Sequence, residues 1–180
     1  MFISLHELEL RPVKFAADVA PGSIDFEAPI TQPSDLHAEG VAELLNRSLG
    51  EVRIHGRLTG SVEAPCDRCL EAAQFPIDRQ FDLVYMPSDS VTRSGGEEEI
   101  EQTGIDVGYY EGAGLELNDV VREVVLLALP MQLVCAESCK GICPECGQNR
   151  NVAACNCRTE HFDERWSGLK NLRAEIGSSN

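Results

Sequence analysis

Apolar and polar residues alternate along two stretches in the first half of the chain. The first runs from Val52 to Val62, and the same period of two resumes between Phe75 and Tyr85. Alternation of this kind places successive side chains on opposite faces of a β-strand. Because Cys66 and Cys69 fall between the two stretches, the pattern predicts neighbouring antiparallel strands with both cysteines in their connection.

The clearest helical pattern begins near Asn118 and ends before Pro130. Asparagine is a favoured N-cap, and proline cannot continue a helix because it lacks a backbone N–H. Apolar residues cover most of the circumference of this segment, so we expect it to be the central core element. The fold class predicted is α+β, a mainly antiparallel sheet packed on a central apolar helix.

Weaker patterns predict three further elements of the body. Residues 2–10 favour an N-terminal strand, and residues 105–110 favour another strand. Pro33-Ser34-Asp35, followed by Leu36, Val41, Leu44 and Leu45, favours a helix with Ser34 near its N-cap.

The chain divides into two predicted regions of different composition. Residues 1–134 form an α+β body that contains a mobile acidic loop at about 86–104, which is rich in Ser, Gly and Glu. Residues 135–180 form a cysteine-rich zinc-binding module followed by an amphipathic tail. The apolar residues of that tail have helical spacing and are Phe162, Trp166, Leu169, Leu172 and Ile176.

Acidic residues outnumber basic ones, 30 against 15, which gives a net charge of −15. Residues 135–180 hold six of each sign, so residues 1–134 carry the whole excess. Such a charge repels nucleic-acid backbones and attracts basic proteins. The chain has no apolar run long enough to span a bilayer, and its first 30 residues lack a secretory-signal pattern. We therefore expect a soluble cytoplasmic protein that binds neither membranes nor small-molecule substrates.

Eight cysteines in 180 residues indicate metal binding. Thiolates at short spacings form closed tetrahedral Zn²⁺ sites, and eight ligands suffice for two structural ions. Disulfides, redox-active thiols and a redox switch that releases metal on oxidation are the alternatives, but a reducing cytosol favours metal. The candidate ligands are Cys66, Cys69, Cys135, Cys139, Cys143, Cys146, Cys155 and Cys157.

The spacing favours one division of these ligands into two Cys₄ sites. Cys143-Pro144-Glu145-Cys146-Gly147 is typical of a zinc knuckle, in which the glycine adopts a positive φ. Cys155 and Cys157 would complete this small C-terminal site, which leaves Cys66, Cys69, Cys135 and Cys139 for the other. An exchange that joins Cys135 and Cys139 to Cys155 and Cys157 stays open at this point. Neither arrangement leaves an open coordination position, so we expect structural metals.

A catalytic alternative comes from a different combination of residues. His37-Ala38-Glu39 and Pro65-Cys66-x-x-Cys69 match the H-x-E…P-C-x-x-C signature of zinc-dependent nucleobase and nucleoside deaminases. There the histidine and two cysteines hold zinc while the glutamate transfers protons. A deaminase needs a substantial helix at the cysteines, and Pro76 with the following alternation leaves little room for one. We expect no enzymatic activity and keep a deaminase as the alternative.

Several segments of the chain together form an ordered set, and they are Cys66-Asp67-Arg68-Cys69-Leu70, Leu115 to Pro130 with Met131, Lys140 to Gly147, Cys155-Asn156-Cys157, and Asp163-Glu164-Arg165-Trp166 with Leu169-Lys170. In this order they resemble the YceD-like large ribosomal RNA subunit accumulation proteins. The resemblance implies a non-enzymatic protein of bacteria and plastids that is linked to accumulation of large-subunit rRNA and to a small large-subunit ribosomal protein.

The resemblance and the acidic charge together predict an accessory factor in large ribosomal subunit biogenesis. We expect its partner to be a basic large-subunit ribosomal protein or a pre-ribosomal particle. Because the body would repel phosphates, we expect its contact with rRNA to be mainly indirect.

Overall fold

The structure is a computed structural model that describes residues 1–46, 49–88 and 107–157 of the 180-residue chain. The chain forms two compact units. Of the described residues, the first unit comprises those within 1–67 and 71–137, and the second comprises residues 68–70 and 138–157. A division into domains at residue 134 stays a prediction. The predicted tail at residues 162–176 and most of the predicted acidic loop lie outside the described residues.

A long antiparallel hairpin is the centre of the first unit. It consists of β4 (Glu51–Pro65) and β5 (Ala72–Pro87), which pair from Val52 opposite Tyr85 to Pro65 opposite Ala72. The alternating residues Val52, Ile54, Leu58 and Val62 of β4 are all fully buried. This confirms the hairpin that the alternation predicted, with Cys66 and Cys69 in its connection.

The predicted helix at residues 34–45 is wrong, because this segment forms strand β3 (Leu36–Asn46). Its buried residues include Leu36, Ala38 and Ala42, which share one face of a strand rather than one face of a helix. The strand pairs antiparallel with β4, and His37 lies opposite Thr59. The long neighbouring strand offers a complete hydrogen-bonding partner, and this tertiary pairing outweighs the weak local helical signal.

Further strands complete two sheets within the described residues. The five-stranded sheet has the order β2-β3-β4-β5-β6, where β2 is Val13–Val19 and β6 is Val107–Tyr110. All its pairings are antiparallel except that of β5 with β6, which is parallel. β6 falls within the strand predicted at residues 105–110, of which residues 105 and 106 lie outside the described part.

The N-terminal segment is only partly the strand that was predicted for residues 2–10. It forms β1 (Phe2–Ser4) and then the short helix α1 (Leu5–Leu10), which buries Leu8. β1 pairs antiparallel with β7 (Gly114–Glu116) in a separate two-stranded sheet. The helical turns after Ser4 place Leu8 in the core, where continued alternation would not have placed it.

The second helix, α2 (Leu117–Ala128), ends before Pro130 as predicted. Its N-cap is Glu116 rather than Asn118. The helix is amphipathic: Leu126 and Leu127 are 40% and 58% exposed, so the expectation of a central, apolar helix is not confirmed. The face that packs against β5 and β7 buries Leu117, Val120, Val121, Val124 and Val125.

No helix among the described residues combines the length and the apolar character that crossing a bilayer would require.

Candidate metal centres

The eight cysteines lie in two groups of four, which match the favoured division of the sequence. We call these the Cys66 group (Cys66, Cys69, Cys135, Cys139) and the Cys143 group (Cys143, Cys146, Cys155, Cys157). Within each group the sulfur atoms lie within 4.8 Å of one another, and these eight described residues form no disulfide. Four sulfurs bound tetrahedrally to Zn²⁺ at about 2.3 Å lie about 3.8 Å apart. Each group therefore fits a metal ion, while the role of each cysteine as a ligand stays a prediction.

Cys66 and Cys135 are held together by the end of β4 and the segment that follows α2. The Cys135 N–H donates to the Cys66 sulfur at 3.3 Å. One residue further along, the Asp67 N–H donates to the Leu133 carbonyl and the Leu133 N–H donates to the Asp67 carboxylate, both at 2.7 Å. Cys66 is fully buried. A buried thiolate needs such donors or a metal to compensate for lost hydration.

Cys69 and Cys139 are positioned by a second set of backbone contacts. The Arg68 carbonyl accepts the Ile142 N–H at 2.9 Å, and the Arg68 guanidinium donates to the Cys139 carbonyl at 3.3 Å. Gly141 has φ +70°, and a Cβ there would lie 2.9 Å from the Arg68 carbonyl oxygen. Only glycine fits this close approach without strain. Cys69 and Cys139 are both buried.

The Cys143 group is built on a tight turn. The Gly147 N–H donates to the Cys143 carbonyl at 2.9 Å, and Gly147 has φ +71°, as the sequence predicted. The Cys143 N–H donates to the Gln148 carbonyl at 2.9 Å. Cys143 is buried, but Cys146 and Cys157 are exposed. In the Cys66 group only Cys135 is exposed, so the Cys143 group is the more open of the two to solvent.

The turn stabilises negative charge on the Cys143 sulfur. Backbone N–H groups of Cys146 and Glu145 are the main cause that lowers the pKa of Cys143 to about 6. The Arg150 guanidinium hydrogen bonds to Cys143 and to Cys155, which raises the pKa of Arg150. Cys157 forms a hydrogen bond with the Cys146 thiol, and this bond raises the pKa of Cys157 to about 12. A Cys₄ site with Zn²⁺ carries two net negative charges, and Arg150 offsets part of them.

The deaminase alternative receives no support from this geometry. His37 and Glu39 lie on strand β3, and the His37 Nδ1 atom lies 2.6 Å from the Asp18 carboxylate. Cys66 lies just past the end of β4, seven positions after Thr59, the residue opposite His37, which corresponds to roughly 20 Å of extended chain. The structure groups Cys66 and Cys69 with two other cysteines instead of a histidine.

Paired charges cover the outward face of the five-stranded sheet, a feature the sequence reasoning missed. Arg53 forms a bidentate pair with Asp82 at 2.6–2.7 Å and also lies 3.4 Å from Glu43. Arg57 forms a bidentate pair with Asp78 at 2.7–2.8 Å. We call these five residues the paired-charge face. The sequence contained a pattern that could have predicted these pairs. The two arginines are four residues apart on one predicted strand, and the two aspartates are four residues apart on the neighbouring one.

The paired-charge face should make stability depend on pH in the acid range. Hydrogen bonds from Arg53 hold the pKa of Asp82 below its usual value. The unfolded chain then takes up a proton first, so the stabilisation is present above about pH 4 and is lost as pH falls through the lowered folded pKa. We expect the difference in urea midpoint between the wild type and Asp82→Asn to shrink between pH 7 and pH 3.

The exposed Ser34, just before β3, offers a control in Ser34→Ala, which changes no ionisable group and should show no such trend. An Asp82→Asn difference of equal size at both pH values would contradict the role assigned to the pair.

Three relatives show what the chain is similar to. It is 30% identical over 116 residues to an uncharacterised protein of Mycobacterium tuberculosis, covering 62% of this chain and 53% of the relative. It is 22% identical over 170 residues to YlbN, an uncharacterised protein of Bacillus subtilis, covering 93% and 92%. It is 32% identical over 62 residues to an Arabidopsis thaliana chloroplast protein named large ribosomal RNA subunit accumulation protein YCED homolog 1, covering 34% and 19%. The chain thus spans about half the length of the mycobacterial relative.

No solved structure gives a significant match. The family model described as large ribosomal RNA subunit accumulation protein YceD matches residues 54–173, a range that includes both cysteine groups. This range is about two thirds of the chain. The chain therefore belongs to the YceD family.

Proposed function

We propose that this protein is a non-enzymatic accessory factor of large ribosomal subunit biogenesis in the cytoplasm, where it promotes accumulation of large-subunit rRNA. The observation that carries the proposal is the family match over residues 54–173, because the family is described as a large ribosomal RNA subunit accumulation protein. The chloroplast relatives from Arabidopsis thaliana and Zea mays carry the same description.

The metals of this factor are two structural Zn²⁺ ions, one in each cysteine group. Four soft thiolates per group support zinc over harder cations, which prefer oxygen ligands. With all four sulfur atoms of a group as ligands, a bound ion has no open position for water or substrate. This closed donor set is the reason to assign the ions a structural role and to assign the protein no catalysis.

The partner is a basic large-subunit ribosomal protein, free or within a pre-ribosomal particle. Residues 1–134 contain 24 acidic and nine basic residues. On the paired-charge face, Arg53 and Arg57 are already engaged by Asp82 and Asp78. A phosphate would have to displace these carboxylates, whereas the acidic excess of residues 1–134 attracts the lysine and arginine side chains of a partner. The rRNA is therefore contacted mainly through the protein partner.

Affinity capture at low salt tests this proposal. Zinc-loaded protein on a resin should recover a large-subunit ribosomal protein or a precursor particle from a bacterial lysate, identified by mass spectrometry, and should release it at high salt. The control bait is the variant Asp78→Asn, Asp82→Asn, which keeps both arginines. It has lost two negative charges and should therefore recover less of the basic partner.

Recovery of no large-subunit component would contradict the proposal. Tight binding to naked rRNA that weakens steeply with salt would replace the protein partner by direct phosphate contacts.

A further inference from the structure

Asn151 contacts a cysteine of one group from within the loop of the other. It lies in the eight-residue loop between Cys146 and Cys155. Its Nδ2 atom donates to the Cys139 sulfur at 3.3 Å, and its Oδ1 atom accepts the Lys140 N–H at 2.8 Å. One side-chain amide thus contacts both the sulfur of Cys139 and the backbone next to it.

Hydrogen bonds inside the loop fix the position of Asn151. Its N–H donates to the Asn149 side-chain oxygen at 2.9 Å. The Asn149 carbonyl accepts the N–H groups of Val152 and Ala153 at 3.1 Å, and the Arg150 N–H donates to the Gly141 carbonyl at 2.9 Å. The loop is therefore a connected turn, and its ends are the ligands Cys146 and Cys155.

We propose that Asn151 couples the two metal sites, so that zinc in the Cys143 group strengthens zinc binding in the Cys66 group. This inference rests on the proposed zinc ions. A metal that joins Cys146 to Cys155 closes the loop and lowers the entropy that ordering Asn151 would otherwise cost. The ordered amide then donates to the Cys139 sulfur and holds this ligand in the position that the metal of the Cys66 group requires. By linkage, zinc in the Cys66 group strengthens the Cys143 group by the same factor.

The expected size of the coupling is roughly tenfold in zinc affinity, within the range for outer hydrogen bonds to metal ligands and for linked sites. Asn151→Ala removes the donor and should weaken zinc binding in the Cys66 group by about that factor. Asn151→Asp should weaken it more, because a carboxylate keeps the acceptor for the Lys140 N–H but repels the thiolate. Asn156→Ala is the matched control, because it removes an exposed asparagine of the same module and should change nothing.

The experiment titrates the full-length apo-protein with Zn²⁺ against a competing chelator under anaerobic conditions. Native mass spectrometry counts zinc ions per chain, and cysteine alkylation identifies the group that is protected. Asn151→Ala should accumulate a one-zinc species in which the cysteines of the Cys66 group are alkylated. Far-UV circular dichroism confirms that each variant keeps its secondary structure.

A double-variant cycle separates coupling from a purely local effect. In a chain with Cys143→Ser and Cys146→Ser, zinc affinity of the Cys66 group should fall to the level of Asn151→Ala, and adding Asn151→Ala should lower it no further. An equal effect of Asn151→Ala with and without the Cys143 group, or no effect at all, would overturn the coupling. A chain that binds no zinc would instead overturn the proposed cofactor, and neither result bears on the ribosomal partner.

Discussion

Replacing Cys66 by serine should reduce the zinc content of the purified protein from two ions per chain to one. Cys66 is fully buried, and its sulfur accepts the Cys135 N–H. A structural Cys₄ zinc contributes binding free energy on the order of 10 kcal/mol, which is comparable to the whole unfolding free energy of a typical domain, about 5–15 kcal/mol. We therefore expect Cys66→Ser to lower the urea midpoint by more than any surface change.

Elemental analysis and urea unfolding followed by circular dichroism measure both effects. Ser138→Ala, a change at an exposed residue between Cys135 and Cys139, is the control and should keep two zinc ions and the wild-type midpoint. Full zinc content and unchanged unfolding in Cys66→Ser would show that Cys66 holds no structural metal.

Leu117→Ala should produce the second large effect, a loss of about 2–5 kcal/mol in the free energy of unfolding. Leu117 begins α2 and is 1% exposed, in a core shared with the inner face of the sheet. The substitution removes apolar contacts and leaves a cavity that the surrounding strands can only partly fill. Urea unfolding at constant zinc concentration measures the loss.

The same helix provides a matched control on its exposed side. Leu127 is 58% exposed, so Leu127→Ala should change stability by no more than about 0.5 kcal/mol. Equal losses for the two variants would contradict the amphipathic packing of α2 and favour a helix that is buried on all sides.

The hairpin of β4 and β5 could be predicted because two regular period-two patterns flank a short turn-like segment. β3 could not, because its apolar residues allow two interpretations. Leu36, Val41, Leu44 and Leu45 approximate helical spacing, and only the burial of Ala38 and Ala42 reveals a strand. Alanine carries little signal in a hydrophobic pattern. The strand that pairs with β3 and stabilises its extended form is β4, which lies outside the segment whose pattern was read.

The division of the cysteines could be predicted because Cys143 and Cys146 are close in sequence to Cys155 and Cys157. The donors that surround the sulfurs could not be predicted. The Cys135 N–H reaches the Cys66 sulfur across 69 positions, and the Asn151 amide reaches Cys139 only because its loop folds back. Such contacts depend on the positions of backbone atoms in the folded chain, which the spacing of the cysteines along the sequence does not specify.

We propose that the eight cysteines form two closed metal sites that maintain the shape of the protein. Elemental analysis of the wild-type protein, purified anaerobically without added metal, tests this assignment in one measurement. We expect two zinc ions per chain, with all eight cysteines protected from alkylation until a chelator is added. A protein that contains no metal, or whose cysteines are joined in disulfides, would contradict it.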